Sequence, residues 1–299
     1  MNYICIDGGG TKTKFVLYDE NGQVIKEKSA GSIHILTQSK QESVCILKEN
    51  VTLLDPSKQS LIVAGLAGYG NQEDLRKQIE DICQEAFEGY TYLLYNDVQI
   101  ALAGALANQD GIVVIAGTGS IAYSCLNGQT KRCGGWGYQL GDEGSAYWMG
   151  KELMKIYCQQ VDGRLEKTKL YDKVKESLLL ENDYDIISYR HHLQNERKDI
   201  ALLAKINYEL ALENDLYALQ IYKNAASYLG QLIKVLARDF HQAVPVSYIG
   251  GVFQAGEYIL KPLKETLQTT SCYLQSPLYP PEYGAYLLGC MYTQKILKK

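Results

Sequence analysis

The chain has 299 residues, enough for about two compact lobes, and its 46% hydrophobic and 21% charged content can build buried cores. A formal net charge of −4 and a pI near 5.7 argue against a broad nucleic-acid footprint and against a polybasic membrane surface. No run reaches the ~18 apolar residues of a spanning helix, and Asp7 interrupts the first apolar run with no Lys or Arg ahead of it. Neither a membrane span nor a leader peptide is therefore expected, and the cytoplasm is the expected compartment.

In chain order, Tyr3 to Ile6 reads as a buried strand and Lys14 to Tyr18 as its hairpin partner. The turn between them is "DGGGTKT". A plain hairpin needs two residues with positive φ, so three consecutive glycines, each with a backbone entropy cost, imply that something approaches this backbone closely. An amphipathic stretch over 39–54, a strand Leu61–Leu66, a helix Glu73–Phe87 and a strand Tyr92–Leu94 continue an α/β pattern. Asp110-Gly111 then punctuates the chain, and "GIVVIAGTGS" restarts the architecture with a strand and a second Gly/Thr turn. From 146 to 243 the pattern is helical, with Ala225, Leu229, Leu232, Ile233 and Leu236 on one face. A last strand in "VSYIGGVF" leads to another helix, and a closing helix follows Pro280-Pro281 and ends in a basic turn. Strand plus glycine turn near residue 7, and again near 115, is the repeat expected of two related lobes.

The eight cysteines form no C-x-x-C pair and have no His at ligand spacing, so buried reduced thiols are expected. The 24 tyrosines against 4 phenylalanines suggest no site.

Backbone N–H groups in a glycine turn make a concave anion site that a side chain would block. "DGGGTKT" lacks Walker A spacing, and "GTGSIA" ends in Ala where the dinucleotide fingerprint has Gly. A third glycine pair, Gly250-Gly251, follows the strand "VSYI". Three such turns at strand ends suggest a split nucleotide site. Asp97 lies between the strand "TYLLYN" and the helix "VQIALAGAL", a junction where α/β folds put ligands and where one carboxylate can serve as general base. The alternative is an N-cap, with Asn96 or Asp97 satisfying first-turn amides. In "GGWGYQLGDEGSAYW", Trp136 can present a ring face to a sugar and Asp142 can accept hydroxyl hydrogen bonds. Alternatively Trp136 is core, and Asp142 and Glu143 cap the helix starting near Ser145.

"DGGGTKT", "NDV", "IAGTGS" and "IGGVF", in this order and at these separations, resemble the phosphate-1, connect-1, phosphate-2 and adenosine motifs of the actin, Hsp70 and sugar-kinase superfamily. "GGWGYQLGDEGSAYWMG" is similar to the signature of its N-acetylglucosamine kinase branch, grouped with the BadF/BadG/BcrA/BcrD ATPases, and "GLAGYGNQED" resembles a further segment of that branch. The resemblance implies two ribonuclease-H-like, actin-like ATPase lobes with ATP and sugar in the cleft between them. One lobe would be 1–109 with the closing helix 282–299, the other 110–281 with a helical insertion. It implies Asp7 as a Mg²⁺ holder through water, and Gly9, Gly10, Thr11 and Lys12 around the β/γ-phosphates of ATP. Thr118 and Gly119 would meet those phosphates, and Gly250 and Gly251 would line the adenosine. Asp97 would be the base, and Gly135, Trp136 and Asp142 would contact the sugar. His34 would join them, although the branch tends to carry an Asn beside this His and the chain has Ile33. The implied function is ATP-dependent phosphorylation of an amino sugar, N-acetylglucosamine first, with N-acetylmuramic acid or glucosamine as alternatives. A homodimer is also implied.

A competing reading is an ATPase activator of the 2-hydroxyacyl-CoA dehydratase type, which needs thiolates around an iron–sulfur cluster. Cys125 and Cys133 are the nearest pair, and they flank the polar hairpin "LNGQTKR". A sugar-sensing regulator would need a DNA-binding appendage, and the zinc pattern C-x-C-G-x-x-G-C of another sugar-kinase group is absent from the sequence.

Overall fold

The computed structural model describes residues 1–10, 12–34, 38–70 and 72–297. The chain forms two compact units, Met1–Gln109 with Pro277–Lys299, and Asp110–Ser276. In chain order the elements of the first stretch are β1 (Tyr3–Gly8), β2 (Lys12–Tyr18), β3 (Val24–Gly31), α1 (Lys40–Leu54), β4 (Leu61–Leu66), α2 (Glu73–Ala86), β5 (Thr91–Asn96) and α3 (Asp97–Leu106). The second unit holds β6 (Gly111–Ala116), β7 (Ser120–Leu126), β8 (Gln129–Gly134), α4 (Ala146–Val161), α5 (Lys169–Ser177), α6 (Asp185–His191), α7 (Glu196–Leu202), α8 (Ala204–Leu212), α9 (Leu216–Ala237), β9 (Val244–Ile249), α10 (Glu257–Leu267) and β10 (Cys272–Leu274). The closing helix α11 (Pro281–Leu297) returns to the first unit. Among the described residues, no helix is long and apolar enough to cross a membrane.

In the first unit the sheet order is β3-β2-β1-β4-β5, antiparallel through β3, β2 and β1 and parallel from β1 through β4 to β5. Both faces are buried, and the period-two alternation of strands divides the side chains between them. Ile4, Ile6, Phe15 and Leu17 face the core built with α1 and α2. Tyr3, Cys5, Val16 and Tyr18 face the other core, with Ile100 of α3 and Tyr286 of α11. Here the tyrosines interlock: Tyr3 meets Tyr286 edge-on at 5.2 Å between ring centroids, and Tyr18 meets Tyr283 edge-on at 5.5 Å.

The second unit repeats the plan. Its order is β8-β7-β6-β9-β10, with antiparallel β8, β7 and β6 and then parallel β9 and β10, so the two sheets have one topology. The helices from α4 to α9 supply most of its core, in which Ala225, Leu229, Ile233 and Leu236 are buried and Leu232 is partly buried. β3 and β10 are absent from the sequence reading for a physical reason. β3 is a sheet edge whose side chains are largely exposed, so no alternating apolar pattern marks it, and β10 is three residues long; the polar hairpin read at "LNGQTKR" is the turn from β7 into β8.

Candidate active site

In the first unit the parallel strands β1, β4 and β5 end at one edge of the sheet, and the chain segments beyond their C-terminal ends are tied to each other. Ala67 N–H donates to the Gly8 carbonyl at 2.8 Å, linking the ends of β4 and β1. Asn96 Nδ2 donates to the Tyr69 carbonyl at 3.1 Å, linking the end of β5 to the same loop. Ser32 Oγ donates to the Gly9 carbonyl at 3.4 Å and accepts the His34 N–H at 3.1 Å, so the segment after β3 is anchored on the glycine turn. The backbone thus gathers Asp7, Gly9, His34 and Asp97 at one edge.

Asn96, not Asp97, is the N-cap of α3: its side chain accepts from Val98 N–H while Gln99 reaches back to the Asn96 N–H. Asp97 Oδ1 takes a 3.0 Å bond from the same Val98 N–H, and among the described residues no hydrogen bond reaches its Oδ2. Burial raises the Asp97 carboxyl above its usual value, against the Val98 N–H and the nearby His34, which lower it. Asp7 sits opposite Gly65 of β4 and Lys14 of β2 in the sheet register. Burial, then the charges of Glu282 and Asp97, hold its carboxyl at about 6, with Lys12 and Lys14 opposing them. Glu282, in the first turn of α11, is buried and takes a 2.7 Å bond from Lys14 Nζ, which also contacts Glu27 at 3.3 Å. Gly10 and Lys12 are exposed, and Thr11 lies outside the described residues.

In the second unit the turn after β6 is held by its neighbours. Gly117 N–H donates to the Gly119 carbonyl at 2.9 Å, Ala146 N–H donates to the Gly117 carbonyl at 2.8 Å, and Ser120 Oγ donates to the Glu143 carbonyl at 2.7 Å. Asp142 is 4% exposed and adopts φ +61°, a left-handed backbone that non-glycine residues seldom take. Its Oδ2 accepts from Arg197 Nη2 of α7 at 3.1 Å. Both groups lie against Gly119: a Cβ there would come within 2.5 Å of Arg197 Nη2 and of Asp142 Oδ2, so glycine permits this contact. Gly250, at the end of β9, has φ +118°, and a Cβ on it would lie 2.2 Å from the Ala116 carbonyl oxygen. The Gly250-Gly251 turn is therefore packed on the end of β6. Gly251 opens a short 3₁₀ turn, Gly251–Ala255.

The structure brings Thr118, Gly119 and Asp142 together with Gly250 near the end of β6. Gly135 packs on Ile121, and Trp136 is 68% exposed under the Arg132 guanidinium, 4.8 Å from the ring centroid. Trp136 is thus not core, and the cap of α4 is Ser145, not Asp142 or Glu143. Among the described residues no group of three or more His, Cys, Asp or Glu side chains could hold a metal directly. Lys14, Glu282 and Arg197 were missed by sequence reasoning. Glu282 reads as a first-turn acid, and neither Lys14 nor Arg197 sits in a motif; each acquires its partner through tertiary packing.

The sequence matches the BadF/BadG/BcrA/BcrD ATPase family over residues 4–289. An N-acetylmuramic acid/N-acetylglucosamine kinase of Clostridium acetobutylicum is 32% identical over 278 residues, covering 89% of this chain and 90% of that one. An N-acetyl-D-glucosamine kinase of Dictyostelium discoideum is 28% identical, covering 83% and 84%. Among solved structures, a candidate N-acetylglucosamine kinase of Chromobacterium violaceum superposes with a TM-score of 0.76 at 24% identity, covering 96% of this chain and 98% of that one, a likeness of fold. The chain belongs to the BadF/BadG/BcrA/BcrD ATPase family.

Proposed function

We propose that this member of the BadF/BadG/BcrA/BcrD ATPase family is an ATP-dependent amino-sugar kinase, with N-acetylglucosamine or N-acetylmuramic acid as its substrate. The observation that carries the reading is the 32% identity to the Clostridium acetobutylicum kinase over 89% of this chain, beside a family match over residues 4–289 that includes all three glycine turns and both candidate acids. In this reading Asp97 is the general base: its Oδ2 is available beside His34, and burial keeps its proton affinity above that of an ordinary carboxylate. The sugar hydroxyl oxygen bonds to the γ-phosphorus, its proton passes to Asp97, and the bond from that phosphorus to the bridging oxygen breaks to leave ADP.

Gly9, Gly10, Thr11 and Lys12 are assigned to the phosphates in the first unit, and Thr118 and Gly119 in the second, with Gly250 and Gly251 at the adenosine. His34, Gly135, Trp136 and Asp142 are assigned to the sugar; Arg197 on Asp142 fixes which carboxylate oxygen is left to accept a hydroxyl. The residues present fit Mg²⁺ held through water. Asp7 shares its surroundings with the charges of Glu282 and Asp97, which a dication would offset, while no close set of direct ligands exists among the described residues. Bound Mg²⁺ would supply charge neutralisation at the phosphate oxygens.

A coupled ADP-release assay over N-acetylglucosamine, N-acetylmuramic acid, glucosamine and glucose tests this. ADP formation dependent on an amino sugar is expected. Hydrolysis at one rate with every sugar, and without any, would count against a kinase.

A further inference from the structure

A cavity of about 460 Å³ opens within the second unit, among α4, α6 and α7, and none of the residues assigned above to ATP, Mg²⁺ or sugar lines it. Its volume suits a small organic ligand. Buried Ile186 and Ile200 and half-buried Met154 give it an apolar floor, and exposed Ile187 lies at its rim. Lys151, Lys155, Arg164, Arg190 and His191 also line it, against one lining carboxylate, Glu196. Three of the cations, each exposed, have partners: Lys155 with half-buried Glu152 at 2.6 Å, Arg164 with exposed Asp162 at 2.9 and 2.6 Å through Nε and Nη2, and Arg190 with half-buried Glu196 at 3.5 Å. Pairs formed by an exposed cation are weak and exchangeable. Lys151 has no ion-pair partner among the described residues.

We propose that this cavity binds a small organic phosphate. Two guanidinium forks match a phosphomonoester better than a single carboxylate, because each fork donates two parallel hydrogen bonds and the headgroup carries close to two charges. The apolar floor selects a phosphate that carries a hydrophobic body over the bare ion. Two contacts compete with an incoming phosphate: it must draw Arg190 from Glu196, whose Oε1 also accepts from the Tyr147 hydroxyl at 3.3 Å, and Arg164 from Asp162, whose Oδ2 accepts from both Nε and Nη2. The inference does not depend on the kinase reading, because binding here is measured without turnover.

Isothermal titration calorimetry on the full chain with 4-nitrophenyl phosphate tests it, with inorganic phosphate and 4-nitrophenol as companion probes. The expected result is one site per chain for 4-nitrophenyl phosphate, with inorganic phosphate at least roughly tenfold weaker and 4-nitrophenol silent. Arg164→Glu should weaken 4-nitrophenyl phosphate by roughly tenfold or more. Glu196→Gln keeps an acceptor for Tyr147 and removes the facing charge, so it should tighten binding by roughly two- to fivefold. A gain of affinity cannot come from misfolding. Absence of heat with folded wild-type protein at millimolar 4-nitrophenyl phosphate, binding of inorganic phosphate as tight as that of the ester, or failure of either variant to move in its stated direction would overturn the proposal.

Discussion

Asp7→Asn should make the metal-free protein more stable at neutral pH while removing its response to Mg²⁺. The Asp7 carboxyl lies at about 6 in the folded chain against an ordinary 3.8. A raised value means that folding prefers the protonated acid. Its stabilising contribution is complete below 3.8, is lost as the pH rises to about 6, and stays lost above that. At ~1.4 kcal/mol per tenfold change in proton affinity, holding the ionised carboxylate in place costs about 3 kcal/mol at pH 7.5. Asparagine keeps the shape of the neutral acid and never ionises, so the variant escapes that cost. The expected gain is roughly 1–3 kcal/mol, or about 5–10 °C in the melting of the first unit. Thermal melts of both proteins in EDTA from pH 4 to 8 measure it. The gap should be near zero at the acid end, open toward pH 6 and then level off. With nucleotide already present, added Mg²⁺ should raise the wild-type melting point further and leave the variant at its nucleotide-only value. A variant less stable than wild type at pH 7.5, or a gap that does not change with pH, would refute the reasoning.

Asp97→Asn should lower the turnover number by roughly 10²- to 10⁴-fold with little change in either Michaelis constant, read by steady-state kinetics, since a base acts mainly in the transition state. Gly9→Val should raise the Michaelis constant for ATP well above that for sugar; equal changes in both would make the turn structural. Lys14→Met strands buried Glu282 without its 2.7 Å partner and should cost about 1–3 kcal/mol in urea denaturation, with Lys14→Met/Glu282→Gln recovering most of it. Gly250→Ala should destabilise the second unit by about 2–4 kcal/mol in the same assay, because its φ of +118° and the Ala116 carbonyl 2.2 Å from a Cβ leave no room for relaxation.

Much of this could be read from the sequence because strand ends announce themselves. The apolar runs of β1 and β6 stop at Asp7-Gly8 and at Gly117, so Asp7 and the turn at Gly117 are located by the end of hydrophobicity alone. The register of the sheet then carries Lys14 beside Asp7, a relation that follows only when hairpin pairing is known. Glu282 and Arg197 were illegible for another reason. Each meets its partner across a long stretch of chain, 268 residues for Glu282 with Lys14 and 55 for Arg197 with Asp142, and no local pattern encodes such a meeting. The competition at the start of α3 was likewise settled by geometry: Asn96 took the capping role, and the sequence had left either residue able to do so.

The return of α11 to the first unit has a bearing on synthesis. Lys14 is made well before Glu282, with the ~170 residues of Asp110–Ser276 made between the two portions of the first unit. At ~5–20 residues per second the N-terminal sheet waits on the order of 10–30 s for the helix that covers one of its faces. Tyr3, Cys5, Val16 and Tyr18 lack their α11 cover for that interval, while the intervening unit can already be folding. The glycine turn and Asp7 thus leave the ribosome well before the helix that completes their surroundings. A nascent chain arrested before Pro281 would carry these motifs without the helix that completes their unit, and its tyrosine face would stay uncovered.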